Sequence, residues 1–202
     1  MKSNISLAWS VIILAAVGTV CAVAIIFLVG PTPPSPTYLG APHNIVAGTA
    51  STAAVAGTPV FLVIPKINVD AAIAPVGLAS DGSMGVPAGP TGTAWFALGA
   101  RPGAVGSAVI AGHEGWKDGI PAVFDDLHKL QAGDQIYVQD DHGVTTAFVV
   151  RSIGTYGQNG DASSVFNSSD GKAHLNLITC EGTWNAAEKS YSNRLVVFAD
   201  EE

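Results

Sequence analysis

Cysteine is scarce in this sequence, which has thiols only at Cys21 and Cys180 among its 202 residues. Cys21 lies in a long apolar run, and Val20 stands where a lipoprotein signal has a small residue, so we interpret Cys21 as a membrane residue. The region from Pro59 to Glu202 therefore has one thiol, which excludes a disulfide within it. Most lone thiols are small buried hydrophobes, so the neighbouring residues must decide whether Cys180 is reactive.

Positive charge is scarce as well, because nine Lys and Arg residues stand against 16 Asp and Glu residues, a net charge of −7. Without Lys2 the remaining chain has eight basic and 16 acidic residues, a net charge of 8 − 16 = −8. This balance argues against a nucleic-acid partner. The sequence also lacks a multi-cysteine metal motif and a glycine-rich phosphate loop, so we expect no metal and no cofactor. A calcium site of acidic loop residues stays open, although no coordination motif is visible.

Charged residues are absent from Leu7 to Val29, a run of 23 residues that is mostly apolar. As a helix this run is about 34 Å long, which is enough to cross a hydrocarbon core of about 30 Å. Only Lys2 and the amino terminus precede it with positive charge, and no Lys or Arg follows before Lys66. We therefore predict an uncleaved single-pass anchor in the cell membrane, with residues 1–6 in the cytoplasm and the rest extracellular.

Charge is missing again from residue 30 to residue 58, where Pro, Gly, Ala, Ser and Thr predominate. This composition is typical of a linker. The 144 residues from Pro59 to Glu202 are enough for one domain with its own core and too few for two. The predicted organisation is a cytoplasmic segment at 1–6, a transmembrane anchor at 7–29, a linker at 30–58 and one folded domain at 59–202.

Short β-branched and apolar runs, punctuated by Pro and Gly, predict strands throughout the domain. There are eight candidates, at 59–65, 67–76, 93–98, 107–111, 135–139, 145–153, 175–179 and 195–199. Strands at this spacing indicate an all-β barrel or sandwich. Asp140 to Gly143 predicts a hairpin turn with a positive φ at Gly143. Pro121 to Leu130 has the apolar spacing of a short amphipathic helix that exposes His128.

Three side chains with useful chemistry lie at the ends of predicted strands. His113 follows Val-Ile-Ala-Gly, Cys180 ends Leu-Asn-Leu-Ile-Thr, and Arg194 opens a run that continues Leu-Val-Val-Phe-Ala. We predict that they converge on one cleft as base, nucleophile and cation. A thiol with a pKa of about 8.5 is only slightly ionised at pH 7, and a nearby imidazolium or guanidinium favours the thiolate. The histidine must also protonate the leaving amine, because an amide nitrogen leaves very slowly without a proton.

Other residues flank this predicted site. The fork of N–H donors on Arg194 suits an oxyanion or a substrate carbonyl, although a surface ion pair explains this residue equally well when it is judged alone. A carboxylate at Glu181 opposes thiolate formation, so we expect it to point away by strand alternation. Thr179 and Trp184 are candidate substrate-binding residues. Strand propensity is the alternative explanation for Thr179, and packing is the alternative for Trp184.

These segments resemble the sortases, membrane-anchored cysteine transpeptidases of Gram-positive-type cell envelopes. The resemblance covers about Pro59 to Glu202. It rests on Pro-Val-Phe-Leu-Val-Ile-Pro-Lys-Ile-Asn-Val-Asp70, Ser107-Ala-Val-Ile-Ala-Gly-His113, Leu177-Ile-Thr-Cys180 and Ser192-Asn-Arg194-Leu-Val-Val-Phe. The order His, Cys, Arg matches the family. The cysteine motif of the family is Thr-Leu-x-Thr-Cys, and Asn176 replaces its first threonine here.

The resemblance implies that residues 59–202 are a catalytic domain, an eight-stranded sortase β-barrel with one or two short helices. It implies Cys180 as nucleophile, His113 as the acid that protonates the leaving amine, and Arg194 as the stabiliser of substrate and oxyanion. The implied substrates are surface proteins with carboxy-terminal LPxTG-like sorting signals, cleaved between threonine and glycine. The implied acceptor is an amine on a peptidoglycan precursor or a pilin, so that surface proteins become fixed to the cell wall.

The motif neighbourhoods are similar to the smaller sortase classes of actinobacterial type, the D, E or F classes. The linker has no Asp-Pro-aromatic lid and the carboxy-terminal region has no second apolar span, so we favour general anchoring over pilus assembly. Three alternatives stay open. They are a pilin-polymerising sortase, a secreted cysteine peptidase that uses water, and a non-catalytic membrane-tethered β-domain that binds wall peptides.

Overall fold

The computed structural model describes residues 55–187 and 190–202, which form a closed barrel of eight strands. The fold class is therefore mainly β, as predicted. The predicted segments 1–6 and 7–29, and residues 30–54 of the predicted linker, lie outside the described residues. Within the two described ranges, no helix is both long enough and apolar enough to cross a membrane.

All eight predicted strands are present. They are β1 (Pro59–Ile64), β2 (Val69–Val76), β3 (Thr93–Phe96), β4 (Gly106–Gly112), β5 (Gln135–Asp140), β6 (Thr145–Gly157), β7 (Ala173–Asn185) and β8 (Ser190–Glu201). The last three are longer than predicted. Their additional residues are mostly exposed or half-buried, so the apolar pattern marked only the part of each strand that lies against the core.

The strands follow one another around the barrel in the order β1-β2-β3-β4-β7-β8-β6-β5, and β5 pairs with β1 to close it. Neighbouring strands are antiparallel except in the pairs β2–β3 and β4–β7, which are parallel. In the β4–β7 pair, Ala111 lies opposite Ile178. β4 therefore ends beside the middle of β7, where the β7–β8 hairpin becomes exposed.

Apolar side chains from every strand fill the interior of the barrel. Leu62, Ile110, Phe148, Leu177 and Val197 come from five different strands and are completely buried. Burial of a side chain of this size stabilises the folded state by about 1.5–3 kcal/mol, before the loss of conformational entropy is counted. This packed interior fixes the positions of the strands that carry the side chains at the rim.

The predicted turn at Asp140 to Gly143 joins β5 to β6, and Gly143 has a φ of 79° there. The carboxylate of Asp140 accepts hydrogen bonds from the backbone N–H groups of Gly57, His142 and Val144. The hairpin prediction is thereby confirmed, and the turn also fixes the chain that enters β1.

The predicted helix at Pro121 to Leu130 is wrong, because this segment forms successive turns with one 3₁₀ turn at Leu127–Lys129. The N–H of Leu127 bonds the carbonyl of Phe124, and the N–H of Leu130 bonds that of Leu127, so each bond spans three residues. This repeat buries residues 124, 127 and 130 on one side and leaves His128 exposed, as predicted. Apolar residues three apart fit a 3₁₀ segment as well as an α-helix, so their spacing did not distinguish the two.

Helical structure in the described residues is otherwise limited to single turns. Two are the 3₁₀ turns Pro65–Ile67 and Lys117–Gly119, and one is the α-helix α1 (Ser163–Phe166) in the β6–β7 connection. Phe166 of α1 packs edge-on against Phe96 of β3, with ring centroids 5.5 Å apart. The sequence pattern did not predict α1, which is too short to show a helical period.

Candidate active site

His113 and Cys180 meet because β4 and β7 are parallel neighbours. The register that pairs Ala111 with Ile178 sets His113 level with Cys180, since each lies two residues further along its chain. His113 follows the last residue of β4, whereas Cys180 lies within β7. Residues that are far apart in the sequence thus reach the same rim of the barrel.

Arg194 lies directly across from Cys180 in the antiparallel pair β7–β8. Directly opposed residues project to the same face, with Cβ atoms about 4.5–5.5 Å apart. The carbonyls of Tyr191 and Asn193 accept from Nη1 at 3.1 and 2.9 Å, and Ser190 Oγ accepts from Nη2 at 3.0 Å. The Nε–H and the second Nη2–H donate to none of the residues that the structure describes. These two donors are therefore available to another acceptor.

The three side chains line one open cavity of about 600 Å³, the thiol cleft. Its lining consists of His113, Glu114, Gly115, Trp116, Lys117, Cys180, Trp184, Ser190, Tyr191 and Arg194. The structure thus brings together the imidazole, the thiol and the guanidinium. The prediction of three strand ends holds for His113 only, because Cys180 and Arg194 lie within β7 and β8. Their catalytic roles are taken up under the proposed function.

Two contacts orient the imidazole of His113. Its Nε2 lies 2.9 Å from the carbonyl oxygen of Pro87 in the β2–β3 connection, and its ring packs edge-on against Trp116 with centroids 4.7 Å apart. A carbonyl oxygen only accepts, so the contact assigns the hydrogen to Nε2. In the neutral ring, Nδ1 is then the nitrogen left to take a proton.

Gly112 lets the end of β4 approach a buried ring closely. A Cβ at this position would lie 2.3 Å from Cδ2 of Phe124, which is buried. The carbonyl of Gly112 accepts a hydrogen bond from Thr179 Oγ1 at 2.9 Å, and the carbonyl of His113 accepts one from the Phe124 N–H at 3.0 Å. These contacts fix the backbone that carries the imidazole.

Burial raises the pKa of the Cys180 thiol above its ordinary value. The guanidinium of Arg194 opposes this effect, and the carboxylate of Glu114 adds to it. At pH 7 the unliganded protein therefore holds Cys180 mainly as a neutral thiol. Reaction of this thiol with a substrate needs a neighbouring base that removes its proton.

A second cavity of about 530 Å³, the apolar groove, shares one lining residue, Arg194, with the thiol cleft. Its apolar walls are Leu78, Met84, Val86, Phe96, Ala111, Val165, Phe166, Ile178 and Val196. Leu78 and Val86 are 58% and 64% exposed, so the groove presents apolar surface to solvent. The sequence did not reveal this groove, because apolar residues that line a groove follow the same pattern as core residues.

Of the other residues that the sequence suggested near the site, Trp184 lines the thiol cleft, whereas Thr179 and Glu181 do not. Thr179 is buried, bonds to Gly112 and lines neither cavity, so its predicted role in substrate binding stays a prediction. Trp184 lines the thiol cleft, half exposed, and packs edge-on against Tyr191 with centroids 5.2 Å apart. Its substrate-binding role also stays a prediction. Glu181 Oε2 accepts a hydrogen bond from Thr155 Oγ1 at 2.8 Å, which draws this carboxylate toward β6.

The comparison with known families decides the affiliation. The family described as Sortase domain matches residues 62–202, which is most of the chain. The chain belongs to the sortase family. The resemblance in the sequence motifs is thereby confirmed, and as a sortase the protein is a transpeptidase whose substrates carry sorting signals. Among curated proteins, none matches the sequence significantly.

Solved sortase structures of three classes share this fold. A lid mutant of sortase A from Corynebacterium diphtheriae is 24% identical with a TM-score of 0.55, over 72% of this chain and 70% of that chain. Sortase C-1 from Actinomyces oris is 25% identical with a TM-score of 0.54, over 71% and 74%. A sortase D5 transpeptidase from Clostridium perfringens is 21% identical with a TM-score of 0.54, over 72% and 79%. Because all three classes fit about equally well, the likeness supports the fold and assigns no class.

Glu114 is the residue in the cleft of this sortase that sequence reasoning missed. Burial raises the pKa of its carboxyl, the charges of Glu181 and Asp125 raise it further, and His128 lowers it. Glu114, rather than Glu181, is thus the carboxylate that acts on the thiol. Its position directly after the histidine was the signal available in the sequence.

Among the described residues, one cluster has side chains of the metal-ligating type, Asp140, Asp141 and His142. It is the β5–β6 turn, where both carboxylates accept hydrogen bonds from backbone N–H groups. The turn geometry accounts for these acidic residues without a metal ion.

Proposed function

We propose that this sortase cleaves an LPxTG-like sorting signal between threonine and glycine, keeps the amino-terminal part as a thioester on Cys180, and transfers it to an amine. The observation that supports this best is that Cys180, His113 and Arg194 line one cleft, and that Arg194 also lines an apolar groove. The substrates in this proposal are surface proteins with such signals, and the product is fixed covalently to the cell wall.

In the acylation step, Sγ of Cys180 attacks the carbonyl carbon of the threonine while Nδ1 of His113 takes the thiol proton. The carbonyl oxygen gains the negative charge, and the two N–H groups of Arg194 without a partner in the described residues stabilise it. The C–N bond then breaks as His113 returns the proton to the glycine nitrogen. The products are a thioester and a carboxy-terminal fragment with a free amino group.

The apolar groove suits the leucine and proline of the signal. Burial of apolar side chains stabilises a complex by roughly 25 cal/mol per Å² of surface removed from water. In the proposed complex, the extended peptide lies along the groove and passes Arg194, so that the carbonyl of the threonine reaches the thiol. This arrangement assigns binding of the signal to the groove and bond cleavage to the cleft.

We propose further that Leu7 to Val29 anchors the enzyme and that the barrel acts outside the cell. A membrane anchor keeps the enzyme near substrates held at the same membrane, which raises their effective concentration without any additional contact. The acceptor is then an amine of a peptidoglycan precursor, or of a pilin in the alternative in which the enzyme builds pili.

One observation favours a different class of function. Burial raises the pKa of Cys180, as expected for an inert cysteine in a non-catalytic β-domain that binds wall peptides. The open thiol cleft and the position of His113 beside Cys180 favour the enzyme instead, because an inert cysteine needs neither. A peptidase that uses water has the same acylation step and differs only in its acceptor.

Mass spectrometry of reaction products distinguishes these functions. The full chain in detergent is incubated with a set of LPxTG-like peptides, with and without hydroxylamine, beside the variant Cys180→Ala. We expect cleavage after threonine, a hydroxamate product when hydroxylamine is present, and neither product from Cys180→Ala. If hydroxylamine changes neither the rate nor the products of cleavage, the protein is a peptidase that uses water. If the folded protein yields no product, it is the non-catalytic binding domain.

A further inference from the structure

The thiol cleft has a carboxylate and two aromatic rings, of Trp184 and Tyr191, that the proposed cleavage step does not use. Besides His113, Cys180 and Arg194, its lining includes Glu114, Trp116, Trp184 and Tyr191. This set differs from the walls of the apolar groove, which suit an apolar peptide. One anionic group beside aromatic rings suits a cationic ligand.

Glu114 is exceptional because it acts against the nucleophile. Its charge raises the pKa of Cys180, which makes the reactive anion harder to form. Its own pKa is raised by burial and by the charges of Glu181 and Asp125. It makes no ion pair and no hydrogen bond with the residues in the described ranges. The carboxylate therefore has an open position for a cationic partner in the cleft.

The aromatic rings provide a second and independent feature of the same kind. Trp184 and Tyr191 form an edge-on pair on the β7–β8 hairpin, and Trp116 packs against His113 on the other wall. Trp184 is 52% exposed although it is the largest side chain of the hairpin. Faces of such rings attract ammonium groups through their quadrupoles. Carboxylate and aromatic faces together suit a primary ammonium ion.

We propose that Glu114, with Trp184 and Tyr191, binds the ammonium group of the acceptor amine and thereby selects acceptors that are positively charged. This inference rests on the proposed function and deepens it, because it concerns the second substrate of the same cleft. The cationic side chains there are Arg194, whose donors are mostly taken by β8, and Lys117, which is exposed. Neither neutralises the carboxylate by an ion pair.

In the transfer step Glu114 only binds the ammonium group, and it neither gives nor takes a proton. The bound ammonium gives one proton to Nδ1 of His113, and its nitrogen attacks the thioester carbon. The C–S bond breaks, the sulfur of Cys180 takes the second proton from the new amide nitrogen, and His113 releases its proton to solvent. Because Glu114 binds the cation before this chemistry, its loss affects the KM for the acceptor more than kcat.

Two small acceptors of nearly equal size test the inference. Methylamine is a cation at pH 7.5 and hydroxylamine is neutral, and each contains two heavy atoms. The full chain in detergent is acylated by the sorting peptide that it cleaves best, and KM is measured for each acceptor from the yields of N-methylamide and hydroxamate. The ratio of the two KM values isolates the effect of charge from any general loss of activity.

We expect Glu114→Gln to raise the ratio of the methylamine KM to the hydroxylamine KM by about 5- to 20-fold, because a half-exposed charged contact is lost. Trp184→Leu raises it about 2- to 5-fold through the loss of a cation–π contact. Lys117→Gln lowers it, because a like charge is removed. Glu201→Gln makes the same charge change at the other end of β8 and leaves the ratio unchanged.

A ratio for Glu114→Gln within twofold of the unmodified protein, with acyl transfer intact, overturns this inference and leaves the proposed function standing. Failure of the unmodified protein to form either product overturns both. Circular dichroism and the thermal unfolding midpoint verify that each variant is folded. A changed ratio in a folded variant therefore reports on charge recognition.

Discussion

Cys180 is held mainly as a neutral thiol. Burial raises the pKa of its thiol, Arg194 across the strand pair lowers it, and Glu114 raises it again. The neutral thiol that results is a poor nucleophile and a poor target for oxidants. At the extracellular location that we propose, this balance protects the lone thiol of the domain while leaving a base beside it.

The pH dependence of alkylation by iodoacetamide tests this balance. We expect the midpoint for Cys180 to lie above that of the urea-unfolded chain. It moves to higher pH in Arg194→Gln, because a cation that favours the thiolate is lost, and to lower pH in Glu114→Gln. Peptide mapping separates Cys180 from Cys21, and rates are scaled to the plateau at high pH so that access does not distort the comparison. A lower midpoint in Arg194→Gln contradicts the prediction.

His113, Cys180 and Arg194 were visible in the sequence because each ends or begins an apolar run. For Cys180 and Arg194 the run ends where the strand leaves the core, and β7 and β8 continue beyond it. The effect of Glu114 on the thiol could not be predicted from the sequence, because it depends on distances that only the fold sets. Thr179 is the opposite case, because the sequence suggested it for the site and the structure places it in neither cavity. Its neighbour Cys180 lies in the cleft, but strand alternation turns Thr179 into the core.

The carboxyl end of β4 is the element on which the imidazole depends. We expect Gly112→Ala to lower the free energy of unfolding by about 1–3 kcal/mol, because the added Cβ collides with the buried ring of Phe124. Relief of this collision moves His113, so the rate of peptide cleavage falls as well. Gly154→Ala on β6 is the control, since its Cβ meets neighbours only at 3.7 Å. Equal melting temperatures for the two variants argue against the close approach.

The beginning of β7 is fixed by a buried histidine between two carboxylates. His174 Nδ1 lies 2.7 Å from Asp200 Oδ1, and its Nε2 lies 2.9 Å from Asp170 Oδ1. Burial lowers the pKa of His174, but the bonds to Asp170 and Asp200 outweigh it and leave the pKa raised. The same bond to His174 holds the pKa of Asp170 well below its usual range. This cluster ties the β6–β7 connection to β7 and β8.

The raised pKa of His174 predicts how stability depends on pH. The stabilisation is complete below the unfolded pKa of about 6.5 and is lost as the pH rises through the higher folded value. Urea unfolding between pH 5 and pH 9 should show this decline in the unmodified protein and a flatter profile in His174→Gln. The variant is also less stable at pH 6 by about 1–3 kcal/mol, because two acceptors lose their charged partner. His128→Gln, at an exposed residue, serves as control and retains the decline.

Strand positions were predictable, and helical turns were not, for one physical reason. A strand that lines a barrel must present an apolar residue at alternate positions, which is visible in a few residues of sequence. The single turns at Leu127–Lys129 and Ser163–Phe166 contain too few residues to show a period. Their conformation is set by neighbours from other parts of the chain, such as Phe96 beside Phe166.

For the molecule as a whole, the sequence predicts a barrel outside the cell and an anchor at residues 7–29. In intact cells that produce the Cys21→Ala chain, a membrane-impermeant maleimide should label Cys180 without permeabilisation. A Ser3→Cys chain that lacks both native cysteines should be labelled only after the membrane is opened, because residue 3 lies in the predicted cytoplasmic segment. Labelling in the reverse pattern contradicts the predicted orientation.

The apolar groove and the thiol cleft, which share Arg194, also predict the order of the reaction steps. If the groove holds the acylated part of the signal, the departing fragment and the incoming amine use the same cavity of about 600 Å³ and exclude each other. We expect ping-pong kinetics, with parallel double-reciprocal lines when peptide and amine are varied, and intersecting lines contradict this order. The amino group of the released fragment then competes with every other acceptor, so the net direction of the reaction depends on which amine is most abundant near the membrane.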